Sequence, residues 1–212
     1  MNHKFPFFNA ERRGYHHGRL KDALIESARA LISERGLGGF TLAEAAKRAG
    51  VTAAAPYRHF ADRNDLMGEL ARRGFELFDA RLLGAWDGGR PEARVALERM
   101  GRAYLAFAFA EPGLYVAMFN SPGRHGELPT SSAAHRAFEG LSHAVGTVLG
   151  PSGGVNGEAR RLAFEIWSLA HGVAMLALAG HFDRARGDDP EAMLAHGSEA
   201  LIEKALRRPA HP

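Results

Sequence analysis

Apolar residues recur every three or four positions along almost the whole of this 212-residue chain, and runs that alternate apolar with polar side chains are nearly missing. A period of 3.6 lays one apolar stripe on a helix, whereas a half-buried strand needs a period of two. The pattern predicts an all-α fold of about nine helices. Leu20, Leu24, Ala28, Leu31 and Ile32 trace the stripe of the first clear helix, which stops at Gly36 with Gly38 and Gly39 just beyond. A long helix opens at Asp62, carries Leu66, Leu70, Leu77, Phe78 and Leu82, and fades between Trp86 and Gly89. Beyond Pro91 another carries Val95, Leu97, Met100, Tyr104 and Phe107, and a short one runs from about Leu114 to Phe119. Three more are expected over roughly 132–149, 158–180 and 190–207. The stretch 120–130, rich in Pro, Gly and Ser, is expected to be the most mobile.

The segment TLAEAAKRAGVTAAAPYRHFADRNDLM is the most informative. Thr41 can cap a short helix, and Glu44, three residues on, can reach back to complete a capping box. Leu42, Ala45, Ala46 and Ala49 form its inner face, and Gly50 stands where a helix ends in a left-handed residue. Val51 plugs the turn, and Thr52 is expected to cap a third helix reaching about His59, with Pro56 tolerated in its first turn. Two short helices joined by a tight glycine turn can place the second in a major groove, and they can equally be a structural hairpin. Two features favour DNA. Tyr57, Arg58, His59 and Arg63 can all donate to phosphate oxygens, and Thr52, Ala53, Ala54 and Ala55 are small enough to approach base edges.

The charge distribution agrees. Residues 1–60 hold ten Lys and Arg against five Asp and Glu, while the remainder holds 17 against 19. A polyanion would meet the basic N-terminal quarter. The chain has no cysteine, which excludes disulfides, thiolate metal sites and a cysteine nucleophile. It has no phosphate-binding loop, no Gly-x-Ser-x-Gly elbow and no paired carboxylates on a helix face, so an enzyme is not expected, and neither is a cofactor. No uninterrupted apolar stretch reaches the ~18 residues of a spanning helix, and a cytoplasmic protein without a membrane partner is expected. Residues 1–14 are expected to be a flexible basic leader.

The stretch GVTAAAPYRHFADRNDL resembles the DNA-binding motif of the TetR family of bacterial regulators: glycine, an apolar residue, a short recognition helix, an aromatic-x-His-Phe ending and an acidic start to the next helix. The upstream YHHGRLKDALIESARALISERG resembles the family's first helix. The resemblance implies a DNA-binding domain over 15–62 and a helical regulatory and dimerisation domain over 63–212. It implies that Thr41, Tyr57, His59 and Arg63 grip phosphates, with Lys47 as a further contact. Thr52, Ala53, Ala54, Ala55 and Arg58 would face bases, and Tyr15, His16, His17 and Arg19 would add contacts from the leader. It further implies a homodimer through the last two helices, a pseudo-palindromic duplex operator and a repressor released by an effector. Ala53, Ala54 and Ala55 depart from the motif in offering bases no hydrogen bond.

WSLAHG resembles a Trp-and-His-Gly signature found in one subgroup of the family's regulatory domains. Trp167 and His171 are one turn apart on one helix face, where they can line a pocket or simply pack the core. Further pocket candidates are Phe78, Trp86, Tyr104, Phe107, Tyr115, Met118, Phe119, Phe138 and Met175, for a small, largely apolar effector. The histidines His125, His135, His143, His171 and His181 lack the spacing of a metal site.

Overall fold

The computed structural model describes residues 11–36, 40–120, 133–150 and 157–207. Among them are eight α-helices and no strand: α1 Glu11–Arg35, α2 Leu42–Arg48, α3 Arg63–Trp86, α4 Ala93–Ala110, α5 Pro112–Asn120, α6 Ala133–Leu149, α7 Gly157–Leu178 and α8 Pro190–Leu206. The difference from the expected nine is the recognition helix, whose place is taken by a single 3₁₀ turn, Pro56–Arg58. The stretch 120–130 expected to be mobile lies, after Asn120, outside the described residues, as do His125 and the side chains of Tyr15, His16 and His17.

Helix ends follow local chemistry. Asp62 caps α3 by accepting from the backbone N–H of Asp65 at 2.9 Å, and Asp189 caps α8 by accepting from Glu191 and Ala192, with Pro190 in the first turn. At the far end of α3, Arg99 of α4 donates to the carbonyls of Ala85 and Trp86, satisfying acceptors that a helix terminus leaves open.

α3 is the central strut: α4, α5 and α6 pack on it, α7 packs on α6 and α4, and α8 lies over α7 and α4. α1 packs against α2, α5 and the start of α3. One continuous apolar core runs from Leu24 and Ile25 of α1 through Phe60, Phe78, Phe107 and Tyr115 to Leu194 and Ile202 of α8. Each fully buried Phe or Leu contributes ~1.5–3 kcal/mol, so the N-terminal helices are fastened to the larger bundle by the same effect that holds the bundle together. α7 is long and apolar enough, by composition, to cross a bilayer, but it is packed among α4, α6 and α8.

Candidate nucleic-acid interface

The turn between α2 and the 3₁₀ segment is built by backbone hydrogen bonds. Thr41 caps α2, its hydroxyl accepting from the N–H of Glu44 at 3.2 Å while the Glu44 carboxylate accepts from the N–H of Thr41 at 2.8 Å. At the other end Val51 N–H reaches back to Ala46 O at 3.0 Å and Gly50 N–H to Lys47 O at 3.2 Å. That pairing requires the left-handed Gly50, whose φ is +73°. Proline then dictates the path of the next turn. Pro56 has no N–H to give, and its ring would clash with the carbonyl four residues earlier, so a helix from Thr52 cannot run through it. Instead Ala55 N–H closes a turn on Thr52 O at 3.0 Å, and Pro56 opens a new turn whose carbonyl receives His59 N–H at 2.8 Å and Phe60 N–H at 2.9 Å. Pro56 and Phe60 are buried, which nails the turn to the core.

The side chains expected to meet DNA divide into two sets. Lys47, Thr52, Ala53, Ala54, Tyr57 and Arg58 are exposed, Tyr57 to 63%, and Ala55 is half-buried. The others have structural work. The Thr41 hydroxyl also donates to Glu44 at 3.1 Å, and Arg63 lies across the Phe40 ring at 4.8 Å and donates to the Phe40 carbonyl at 3.2 Å. His59 is half-buried. Two guanidiniums that composition alone would assign to the basic face are also engaged. Arg48 makes a bidentate pair with Glu34 at 2.6 and 2.7 Å, and Arg35 pairs with Glu44 at 3.1 Å. The cationic tip is thus narrower than the sequence suggests: Lys47 and Arg58, with the Tyr57 phenol between them in chemistry as in sequence. Charge-assisted donors of this kind suit phosphate oxygens, and the guanidinium fork also suits a guanine edge.

This tip is mounted rigidly. Arg73 of α3 pairs with Asp22 of α1 at 2.6 Å, and Glu69 of α3 gathers Lys21, Arg72 and Arg73. Those partners, Arg72 above all, hold the Glu69 carboxyl at about 2. Toward the larger domain, Arg29 of α1 donates to Glu111 at 2.6 Å, immediately before α5. Gly113 in α5 lies so close to α1 that an added Cβ would stand 2.3 Å from the Arg29 carbonyl.

The other end of α5 enters an aromatic cluster. Trp167 Nε1–H donates to the Tyr104 hydroxyl at 3.2 Å; the Tyr104 and Tyr115 hydroxyls are 3.0 Å apart, and Tyr115 Oη is 2.9 Å from His171 Nδ1. Trp167 can only donate, so the order that uses the shortest contacts runs Trp167 to Tyr104, Tyr104 to Tyr115 and Tyr115 to Nδ1, with the imidazole proton on Nε2; Tyr104 Oη also lies 3.5 Å from Nδ1. Phe119 lies 4.4 Å from the His171 ring, and Trp167 stacks on Phe138 at 5.2 Å. Burial pushes the Tyr104 phenol up to about 12 and the Tyr115 phenol up as well, so both stay neutral.

Burial also holds His171 below its ordinary value of 6.5. The unfolded chain therefore takes up a proton near pH 6.5 that the native state refuses, so stability is highest above that pH and falls as pH drops through it. Thermal unfolding of the parent and of His171→Gln, scanned between about pH 8 and 5, should show a shallower decline in the variant. Parallel declines would remove His171 from the linkage.

Beside this cluster, α4, α7 and α8, with Leu82 of α3 and Leu141 of α6, line a cavity of about 440 Å³, within the ~300–1,000 Å³ typical of small-molecule sites. Of the side chains expected to line a pocket, Tyr104 and Trp167 do so. Tyr115 and His171 stand behind them through the hydroxyl chain, with Phe119 and Phe138 on their far sides. The rest lie elsewhere: Phe107 is sealed between Phe78 and Arg81, Met118 packs on Gly74, Trp86 edges onto His143 at the end of α3, and Met175 is exposed. The cavity's other apolar walls are aliphatic, from Leu97 and Leu105 to Leu194 and Ile202, and charged side chains of α4 and α8 stand at its rim. Aliphatic residues at helical spacing carry no signal that separates a wall from a core. Among the described residues, no group of three or more metal-ligating side chains comes together.

A glycine-turned pair of short segments with an exposed donor tip, fixed to a helical bundle, is the arrangement of a DNA-binding regulator. Residues 24–70 match the bacterial regulatory proteins of the tetR family, and residues 97–201 match the tetracyclin repressor-like C-terminal domain. The chain belongs to the TetR family of transcriptional regulators, whose members are not enzymes. A protein of unknown function from Rhodococcus sp. RHA1 is 29% identical with a TM-score of 0.70, over 90% of this chain and 97% of its own. A TetR-family transcriptional regulator from Streptomyces coelicolor is 21% identical with a TM-score of 0.61, over 88% of this chain and 99% of its own. The TetR-family regulator PfmR from Thermus thermophilus is 16% identical with a TM-score of 0.65, over 85% of this chain and 97% of its own. The last two share the fold. No curated protein matches the chain.

Proposed function

We propose that the protein is a homodimeric repressor that binds a pseudo-palindromic duplex operator in the cytoplasm and releases it when a small, largely apolar effector enters the helical domain. The observation that carries this reading is the uncommitted tip, Lys47, Tyr57 and Arg58, on a turn pinned by Pro56 and Phe60. Lys47 and Tyr57 grip phosphates, with Thr41, His59 and Arg63 setting the frame. Arg58 reads a base edge, while Thr52, Ala53, Ala54 and Ala55 approach the groove floor through small side chains and methyl contacts to thymine.

Dimerisation through α7 and α8 is supported by the apolar side chains those helices leave outside. Phe164 is 62% exposed, and Met175, Leu176, Met193 and Leu206 are exposed as well. Closing such a patch in a two-fold interface removes it from water and sets two recognition turns side by side. Half-sites in successive major grooves then lie ~34–36 Å apart. α5 connects sensing to reading: Tyr115 and Phe119 belong to the aromatic cluster, while Gly113 rests on the backbone of α1. An effector that shifts α5 shifts α1 and changes the half-site separation, for a coupling of ~1–3 kcal/mol.

Selection of bound duplexes from a random pool, with the protein's mass measured in solution, tests the reading. Enrichment of an inverted repeat by a dimer, weakening steeply with salt, is the expected result. A monomer that retains no duplex at low ionic strength would refute it.

A further inference from the structure

The cavity between α4, α7 and α8 has a chemical bias at its mouth. Leu105, Ile166, Ala170 and Leu194 make its interior apolar, and the charged side chains that line it are Glu98, Glu191 and Glu199 against Arg94 and Arg102. Both guanidiniums are already occupied. Arg94 donates to Glu199 at 2.9 Å and to Glu203 at 2.6 Å, and Arg102 donates to Glu98. Carboxylates therefore outnumber cations at the rim, and no guanidinium there awaits an anion. A ligand carboxylate or phosphate would have to break an existing pair or settle beside Glu191 with its charge uncompensated, and either course costs desolvation that nothing returns. A positive head meets the opposite situation, because Glu191 offers a carboxylate that no guanidinium contacts within 4 Å among the described residues, Arg102, which Glu98 holds, feeling its charge only at longer range. Glu191 also suits the first turn of α8 as a helix residue, but that role does not require it to line a cavity.

We infer that this cavity takes an apolar molecule carrying a cationic ammonium-type head, with the tail among Leu105, Ile166 and Leu194 and the head at the Glu98–Glu191–Glu199 rim, in preference to acidic molecules of the same size. The inference rests on the reading of the helical domain as a sensor and specifies its ligand. It places Tyr104 and Trp167 at the deep end of the site, where an arriving tail touches the hydroxyl chain that leads to Tyr115 and α5.

Three probes with one ten-carbon tail separate the head-group classes: decyltrimethylammonium, 1-decanol and decanoate, each below its micellar concentration. Titration of the full-length protein, followed by tryptophan fluorescence and by thermal shift, should give the ammonium at least a tenfold tighter Kd than decanoate, about 1.4 kcal/mol, with decanol between them. Glu191→Gln should cut the ammonium's advantage and leave decanol unchanged. Ala195→Phe, which fills the cavity from a half-buried position on α8, should abolish binding of all three while circular dichroism stays that of the parent. Decanoate binding as tightly as the ammonium, or ammonium binding that survives Ala195→Phe, overturns the inference. Operator affinity measured on the same samples keeps the two readings apart. Cavity binding with the predicted head-group order but without any change in DNA affinity would overturn the sensor reading alone, and intact DNA binding with no ammonium preference would overturn the ligand class alone.

Discussion

Gly113→Ala is expected to destabilise the protein by ~1–3 kcal/mol or more, lowering its melting temperature by ~2–4 °C for each kcal/mol in a chain of this size. The added methyl would meet the Arg29 carbonyl at 2.3 Å and the Ser33 hydroxyl at 2.8 Å. The carbonyl is backbone inside α1 and cannot swing aside as a side-chain tip can, so α1 and α5 must separate. That separation also strains the Arg29–Glu111 pair at the same junction. Weaker operator binding should accompany the lost stability, since α1 carries the reading turn. Gly140→Ala in α6 is the matched control: nothing lies within 4 Å of a Cβ there, and alanine in a helix interior is worth up to ~1 kcal/mol over glycine. Thermal unfolding of both variants decides the matter, and a Gly113→Ala protein as stable as the parent would contradict the packing of α5 on α1.

Tyr57→Ala and Arg58→Ala should both damage DNA binding, in different ways. Tyr57 as a phosphate donor contributes ~1.5–3 kcal/mol per subunit, so its loss weakens every duplex alike by tenfold or more. Loss of Arg58 should relax preference at one position of each half-site by ~1–3 kcal/mol while retaining general affinity. Neither should alter stability, because both side chains are exposed. Arg48→Ala is the informative comparison, since Glu34 already holds that guanidinium through two short hydrogen bonds. Fluorescence anisotropy on a matched and a mismatched duplex measures all three. If Arg48→Ala proved more harmful than Tyr57→Ala, the docking face would be wrongly placed.

Much of this architecture was readable from the chain because it depends on contacts close in sequence. The Thr41–Glu44 capping box, the left-handed Gly50 and the Asp62 cap each follow from three or four adjacent residues, and the structure contains all of them. Pro56 was visible too, but its consequence depended on register. In a first turn it would have been harmless, whereas four residues after Thr52 it ends one turn and starts another. Partners distant in sequence were out of reach. Nothing local to Arg48 announces Glu34, and nothing local to Arg63 announces the carbonyl of Phe40, so side chains that look like free cations are tied down. The cavity is hidden for a related reason: aromatics carry the more conspicuous pattern, and here many of them fill the core while aliphatic residues from five helices leave the space.

In the proposed dimer, a reading element only one 3₁₀ turn long would offer each half-site a single guanidinium fork and a few methyl groups. With each wrong base pair costing only ~1–3 kcal/mol, one subunit alone would find near-matches scattered throughout a genome. Selectivity must then come from geometry: two poor readers become one good one only when both strike acceptable sequence at a fixed separation. Shifting that separation is therefore the most economical way to erase the protein's choice of site, because it leaves every individual contact intact and cancels their coincidence.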